Sequence, residues 1–300
     1  NSKDRFCLVV YSYSGKVVVP LDKVTVDFKK DVKEKIKFLK PNGQTNLWDG
    51  LFKGMEELKQ KDNGNNQSIL LLTDGIPNIA PPQGHNKTLD KYLKNKGGKF
   101  SLYTCGFGYN MDSSLLVDSS KKGPLGGSYS FIPDSAMVGT IFINLMANIF
   151  NTIGVNFKLE FDEETEKLID SQSDFSHFGN NGQSVIVKFK EKPKNCQLKL
   201  VGEHLYFGKF DLDLKIDESI NNNDKFNFEL FRFKFNNFVS NAMKTKFDAN
   251  EFMESVKSIP SNNKIETLMK DFNGQIKEAF SLKFYNKWGK HYLPSLIMAH

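Results

Sequence analysis

The first half of the chain alternates between short apolar runs and longer segments with helical spacing. Apolar runs rich in β-forming residues predict strands, and apolar residues three or four positions apart predict amphipathic helices. The predicted strands lie at residues 5–12, 15–20, 68–73, 100–107 and 127–132, and the predicted helices at 22–40, 46–61, 86–96, 112–119 and 135–152. Because continuously apolar strands alternate with helices, we expect a mostly parallel sheet covered by helices, with an antiparallel hairpin at one edge.

From Val155 onwards the pattern changes to strict alternation of apolar and polar residues, which is typical of antiparallel strands with one solvated face. Such segments lie at residues 155–161, 185–189, 198–201 and 210–216, and a further strand is predicted near 226–230. Helical spacing then returns. We therefore expect an α/β domain at residues 1–152, a β-rich, sandwich-like domain at 153–230 and a helical segment at 231–300.

The composition favours a folded and mildly basic protein. The 41 lysine and arginine residues exceed the 35 acidic residues by 6 over 300 residues, which is too little for a nucleic-acid-binding stripe. Three cysteines are too few for a disulfide scaffold or a zinc cluster. The best candidate for a membrane span, residues 140–153, is shorter than the ~18 residues that such a span needs. We expect no membrane span and, since no signal peptide is visible, a cytoplasmic location.

Two loops in the first half carry oxygen donors where open α/β sheets bind ligands, beyond the carboxyl ends of the strands. One loop contains Thr45 and enters a helix, and the other contains Asp74 and leaves the strand expected to be most buried. A hydroxyl and a carboxylate are hard donors that suit Mg²⁺. Both residues also have structural interpretations: Thr45 or Asn46 as a helix N-cap with Asp49 at the third helical position, and Asp74–Gly75 as a turn.

These segments carry a resemblance to a known family. In order along the chain, DRFCLVVYS, GQTNLWDGLFKGMEEL, SILLLTDGIPN and FSLYTCGFGYNMDSSLL resemble a von Willebrand factor type A domain over residues 1–152. The resemblance implies a Rossmann-like fold and a metal-ion-dependent adhesion site to which Thr45 and Asp74 contribute. The family's first metal loop, Asp-x-Ser-x-Ser, has no counterpart here. We therefore expect a sheet without its first central strand, a chain truncated at its N-terminus, and a magnesium site only if that loop lies upstream.

The blocks at residues 127–148 and 287–300 resemble a protist and fungal subgroup of these proteins. In that subgroup the type A domain is joined to a β-rich region and often to a Hint-type (intein-like) or ubiquitin-ligase module. The resemblance implies a non-enzymatic protein-interaction module that binds an acidic residue of its partner through Mg²⁺. The alternative is the substrate-recruiting part of a larger ubiquitin ligase or self-processing Hint protein, whose catalytic module lies outside this chain.

The remaining polar clusters carry weaker signals. Ser12 and Ser14 lack the Gly-x-Ser-x-Gly turn of a catalytic serine. The lysine runs at 29–40 and 87–99 favour a solvated surface, with an acidic partner or anionic lipid as the alternative. For the aromatic run at 226–238 we expect core packing rather than base stacking. The histidines show no metal-ligand spacing and are expected to be structural: His85, His177, His204, His291 and His300.

Overall fold

The computed structural model describes residues 3–41, 43–172, 177–179, 184–194, 196–205, 207–215 and 224–299. The chain divides into two compact units, residues 1–134 and residues 135–300. The predicted division into domains at 1–152, 153–230 and 231–300 stays a prediction.

The strands of the first unit follow the predicted order. Strands β1 (Arg5–Tyr11) and β2 (Gly15–Lys23) form an antiparallel hairpin. Strands β3 (Ser68–Thr73), β4 (Ser101–Phe107) and β5 (Tyr129–Ile132) form a parallel sheet in the order β3-β4-β5. The predicted α/β architecture, with a parallel sheet and an antiparallel hairpin, is therefore confirmed.

Four helices complete the first unit: α1 (Val26–Lys37), α2 (Leu47–Gln60), α3 (His85–Lys96) and α4 (Ser113–Lys121). The prediction that the first helix begins at Asp22 is wrong, because Asp22 and Lys23 pair with β1 and extend β2. Helix α1 begins after Thr25, whose hydroxyl accepts a hydrogen bond from the backbone N–H of Phe28 at 3.1 Å and caps the helix.

The hairpin and the parallel sheet remain separate in the described ranges, where β1 pairs with β2 and β3 pairs with β4. Helix α2 packs against both sheets and buries Leu47, Leu51 and Met55. Strand β3 was expected to be the most buried strand, but Leu72 within it is 45% exposed. The most buried strand is β4, since every residue from Ser101 to Gly106 is buried between its two neighbours. An edge strand has a neighbour on one side only, so its side chains remain accessible.

The second unit begins with helix α5 (Ser135–Asn151) and then becomes β-rich, as predicted. Strands β6 (Thr152–Phe161), β8 (His177–Gly179), β10 (Leu198–His204) and β11 (Gly208–Leu214) form an antiparallel sheet in the order β11-β10-β6-β8. Strands β7 (Ile169–Gln172) and β9 (Val187–Phe189) form a second antiparallel pair, and the short helix α6 (Glu163–Lys167) precedes β7. Ile216, the last residue of one predicted strand, lies outside the described residues.

The strand predicted at 226–230 is wrong, because these residues open a long helix, α7 (Asp224–Ala242). A polar and apolar alternation over five residues fits a strand, but the longer spacing of Phe231, Phe235 and Val239 places these side chains on one helical face. All three are buried in a core that also contains Phe252 and Phe272. Most of the aromatic run therefore packs into the core as predicted, whereas Phe226 is 45% exposed.

The remaining helices of the second unit surround this core. They are α8 (Ala249–Val256), α9 (Asn263–Asp271), α10 (Lys277–Ala279) and α11 (Lys290–Ala299), with π-helical turns at Phe272–Ile276 and Tyr285–Gly289. Across the described ranges, none of the helices is long and apolar enough to cross a membrane.

Candidate functional site

The candidate site lies beyond the carboxyl end of β3, beside the loop that enters α2. A Cβ atom placed on Gly75 would lie 3.6 Å from Oγ1 of Thr45, so the Thr45 hydroxyl is next to the segment that leaves β3. Asp74 precedes Gly75 and is exposed. The structure thus brings the Thr45 hydroxyl to the segment that carries Asp74, which the sequence places 29 positions further on.

The two loops are held together by Asn78, a residue that sequence reasoning did not single out. Its side-chain Oδ1 accepts a hydrogen bond from the backbone N–H of Thr45 at 2.8 Å. Its own backbone N–H donates to the carbonyl oxygen of Thr45 at 3.3 Å. One asparagine therefore satisfies both backbone groups of Thr45. The signal available in the sequence was the Pro-Asn pair after Asp-Gly, which is typical of a turn.

The sequence left open whether Thr45 or Asn46 caps helix α2. The structure shows that the N-cap is Asn46. The side chain of Asn46 accepts a hydrogen bond from the backbone N–H of Asp49 at 3.1 Å. Asp49 does not return that bond, because its Oδ2 accepts from the backbone N–H of Gly15 at 2.5 Å in the β1–β2 turn. The Thr45 hydroxyl makes no hydrogen bond to the described part of the chain. Its oxygen is therefore available to a ligand.

Tyr11, at the carboxyl end of β1, closes the other side of this region. Its hydroxyl donates to the carbonyl oxygen of Leu72 at 2.5 Å. Burial raises the pKa of Tyr11 to about 12, and the charge of Asp74 acts in the same direction, against a hydrogen bond with Thr73. The tyrosine is therefore protonated at neutral pH and acts as a hydrogen-bond donor. The sequence gives little indication that Tyr11 contributes to this region, because Tyr11 is one of the last residues of an apolar run.

The donors present fit a hard divalent cation in type but not in number. Mg²⁺ prefers oxygen ligands in octahedral geometry. Thr45 and Asp74 offer a hydroxyl and a carboxylate of that kind. Within the described ranges, however, no group of three or more histidine, cysteine, aspartate or glutamate residues could hold a metal ion. The assignment of Thr45 and Asp74 as metal ligands stays a prediction.

Other reactive side chains do not add chemistry to this region. Ser12 and Ser14 form the β1–β2 turn, where the backbone N–H of Ser12 donates to the carbonyl oxygen of Ser14 at 3.2 Å. Burial raises the pKa of Cys7 to about 11 and that of Cys105 to about 12, so neither thiol is ionised at neutral pH.

The described histidines lie on several elements, and His85 forms a hydrogen bond with the backbone of Ile79, the residue after Asn78. His291 is buried in α11 of the second unit. The ring of His204 lies 4.6 Å from that of Phe207 in the β10–β11 turn. The side chain of His177, and His300 as a whole, lie outside the described residues. His85 begins α3, where burial lowers its pKa.

Comparison with known proteins agrees with this architecture. The family model of the von Willebrand factor type A domain matches residues 1–142. A von Willebrand factor type A protein from Catenulispora acidiphila superimposes on 86% of this chain and 72% of its own, with a TM-score of 0.57 and 14% identity. Residues 1–142 are therefore similar in sequence to a von Willebrand factor type A domain, and the chain shares the fold of such a protein.

Among curated proteins, inter-alpha-trypsin inhibitor heavy chain H3 of Mus musculus is 24% identical over 165 residues, which is 52% of this chain. The chain spans about a fifth of that relative, since the match covers 18% of its length. A structure of proximal thread matrix protein 1 from the mussel byssus, with a zinc-occupied MIDAS motif, is 22% identical and covers 51% of this chain with a TM-score of 0.40. A second family model, VWA / Hh protein intein-like, matches residues 262–300.

Proposed function

We propose that this chain is a protein-interaction module whose binding face lies at the carboxyl end of β3, around Thr45 and Asp74. The observation that carries the proposal is the Thr45 hydroxyl. It lies beside the segment that leaves β3, is held there by Asn78, and makes no hydrogen bond to the described residues. Two loops that are joined by hydrogen bonds and present oxygen donors at the ligand-binding edge of an α/β sheet favour recognition of a charged ligand.

The finer proposal is that this face binds Mg²⁺. Thr45 and Asp74 supply two donors, and the proposal holds only if an Asp-x-Ser-x-Ser loop supplies the others. When bound, the ion offers an open position to a hard anionic ligand, so an acidic side chain of the partner is the expected target. The residues of this chain orient that position, since Asn78 fixes the backbone of Thr45 and Tyr11 fixes the backbone beside Asp74.

The proposal includes no enzymatic step and no nucleic-acid partner. The thiols of Cys7 and Cys105 stay protonated at neutral pH. A cytoplasmic location stays a prediction that rests on the sparse cysteines.

The alternative is a recruiting part of a larger Hint-type self-processing protein. The specific observation in its favour is the match of residues 262–300 to the intein-like family model. The same alternative includes a second possibility, in which the chain is the substrate-recruiting part of a larger ubiquitin ligase. In both forms the catalytic module lies outside this chain.

The direct test is Mg²⁺ titration of the natural full-length protein by calorimetry, with the variants Asp74→Ala and Thr45→Ala. Asp118→Ala is the matched control, because Asp118 is an exposed aspartate on α4, away from the two loops. We expect the two site variants to lose metal binding and the control to keep it. Equal metal binding by all four proteins would refute the metal site.

A second measurement separates metal binding from partner binding. Immobilised poly-glutamate serves as an acidic probe, and retention is measured with Mg²⁺ and with EDTA. Retention that depends on Mg²⁺ and is lost in Asp74→Ala supports the proposed mode of recognition. Retention that EDTA leaves unchanged contradicts it.

A further inference from the structure

Helix α1 carries a row of lysines that no acidic residue neutralises. Lys29, Lys33 and Lys37 follow one another at intervals of four residues on one side of the helix, about 6 Å apart along its axis. All three side chains are exposed, and none of these side chains forms an ion pair or hydrogen bond with the described part of the chain. The ion pairs within α1 join other lysines to acids: Lys30 to Asp27 at 3.8 Å and Lys35 to Asp31 at 2.8 Å.

The acidic residues of α1 lie on a different side of the helix. At 100° per residue, Lys29, Lys33 and Lys37 fall within an arc of about 80°. Asp27, Asp31 and Glu34 fall within a separate arc of about 60°. The helix therefore presents segregated charges and not an alternating, self-neutralising surface.

Large apolar side chains are exposed at both ends of this helix. Phe38, which follows α1, is 82% exposed, Ile36 is 47% exposed and Leu39 is 41% exposed. Val26, at the first turn of the helix, is 70% exposed. The helix is anchored elsewhere, through buried Val32 and through Phe28, whose ring lies 6.4 Å from that of Phe6. The apolar residues at its C-terminal end are therefore free to contact another surface.

We propose that Lys29, Lys33, Lys37, Ile36, Phe38 and Leu39, here called the α1 surface, dock onto membranes that contain anionic phospholipids. A membrane interface accepts both kinds of group at once, since lysines remain at the charged headgroups while apolar side chains enter the acyl boundary. Nucleic acids and other polyanions neutralise the lysines but provide no apolar layer for Phe38. The combination of unpaired lysines with exposed Phe, Ile and Leu therefore favours a lipid surface. Such binding is peripheral and does not require a membrane-spanning helix.

The test is vesicle flotation of the full chain with phosphatidylcholine alone and with phosphatidylcholine mixed with phosphatidylserine. We expect binding to the mixed vesicles only, weakening as NaCl is raised because salt screens exposed charges. Lys33→Gln/Lys37→Gln removes two charges from the α1 surface, and at about fivefold per lysine we expect binding about 25-fold weaker. The matched control is Lys91→Gln/Lys94→Gln, which removes two exposed lysines from α3 and is expected to leave binding within about twofold.

A second pair of variants tests whether the apolar residues of the α1 surface contribute to vesicle binding. Phe38→Ser is expected to weaken vesicle binding about tenfold, because a phenylalanine side chain loses its transfer into the interface. Leu282→Ser, at a residue that is 98% exposed, serves as its control and is expected to have no effect. Circular dichroism spectra confirm that each variant is folded, which is expected since all the substituted side chains are exposed.

Three results would overturn the proposal: equal binding to neutral and anionic vesicles, equal losses in the α1 and α3 lysine variants, or, with EDTA present, retention on poly-glutamate but not on vesicles. The last result would assign the α1 surface to an acidic protein partner. Vesicle binding should also be insensitive to EDTA and to Asp74→Ala, so this inference and the proposed metal-dependent function can fail separately.

Discussion

Two glycines in helix α2 are expected to respond with opposite signs to the same substitution. A Cβ atom on Gly50 would lie 2.4 Å from Cδ1 of Tyr11, closer than real contacts allow. A Cβ atom on Gly54, one helical turn later, would have Ile69 Cδ1 as its nearest neighbour at 4.0 Å. Both glycines are inside the helix, so their intrinsic helix propensities are matched.

The magnitudes follow from three contributions. Replacing a mid-helix glycine with alanine stabilises a helix by up to about 1 kcal/mol. At Gly50 this gain is opposed by overpacking of about 1–3 kcal/mol. Displacing the Tyr11 ring also breaks the hydrogen bond from its hydroxyl to Leu72, which contributes about 1 kcal/mol. We therefore expect Gly50→Ala to lower the free energy of unfolding by about 1–3 kcal/mol. Gly54→Ala should raise it by up to about 1 kcal/mol.

The assay is urea unfolding followed by the fluorescence of Trp48, which lies in α2. The chain has 2 tryptophans, so a Trp288→Phe background removes the signal of the second unit. We expect the midpoint of the Trp48 transition to fall in Gly50→Ala and to rise in Gly54→Ala, with equal slopes. Shifts of the same sign in both variants would show that the contact between Tyr11 and Gly50 does not constrain the helix, and would refute the reasoning.

Three further predictions concern other parts of the chain. Asn78→Ala removes the side-chain acceptor for the backbone N–H of Thr45 and should lower the free energy of unfolding by about 1 kcal/mol and weaken Mg²⁺ binding, both measurable in one calorimetric series. Asp162 accepts three hydrogen bonds that lower its pKa from 3.8 to about 2, so it stabilises the fold above pH 3.8 and this contribution is lost as the pH falls towards 2. Acid unfolding of Asp162→Asn should lack that dependence, and an unchanged acid transition would contradict the assignment. Burial raises the pKa of Cys105 to about 12, so iodoacetamide at pH 8 should modify Cys105 only after unfolding. Cys196 is less buried and should react in the folded protein. Mass spectrometry of the labelled peptides measures the modification of both cysteines.

Local patterns determined most of the elements of the first unit. The apolar run at 68–73 is β3 with the predicted bounds, and the helical spacing at 46–61 is α2 at Leu47–Gln60. Both signals are strong because each extends over the full element and ends at turn residues. The order of these motifs was also enough to place Thr45 and Asp74 at one edge of the sheet as candidates.

Predictions from the pattern of a few residues were wrong where that pattern fits both a strand and a helix. At 226–230 the alternation is compatible with a strand, and only packing of Phe231 and Phe235 against Phe252 selects the helix α7. Burial also could not be derived from apolarity alone. Leu72 belongs to the most apolar run of the chain but is 45% exposed, because β3 has a single strand neighbour in the described ranges.

The sequence by itself determined which residues near the site have suitable chemistry, and the tertiary structure decided what holds them. Hydroxyl and carboxylate donors at strand ends can be read from residue type and spacing. The contacts of Asn78 with Thr45 and of Tyr11 with Leu72 cannot, because they join residues 33 and 61 positions apart. Likewise, the lysine row of α1 is visible in the sequence, but its lack of acidic partners and the exposure of Phe38 depend on which side of the helix packs against the hairpin. Local periodicity fixes the elements, and only their packing fixes which side chains meet and which remain accessible.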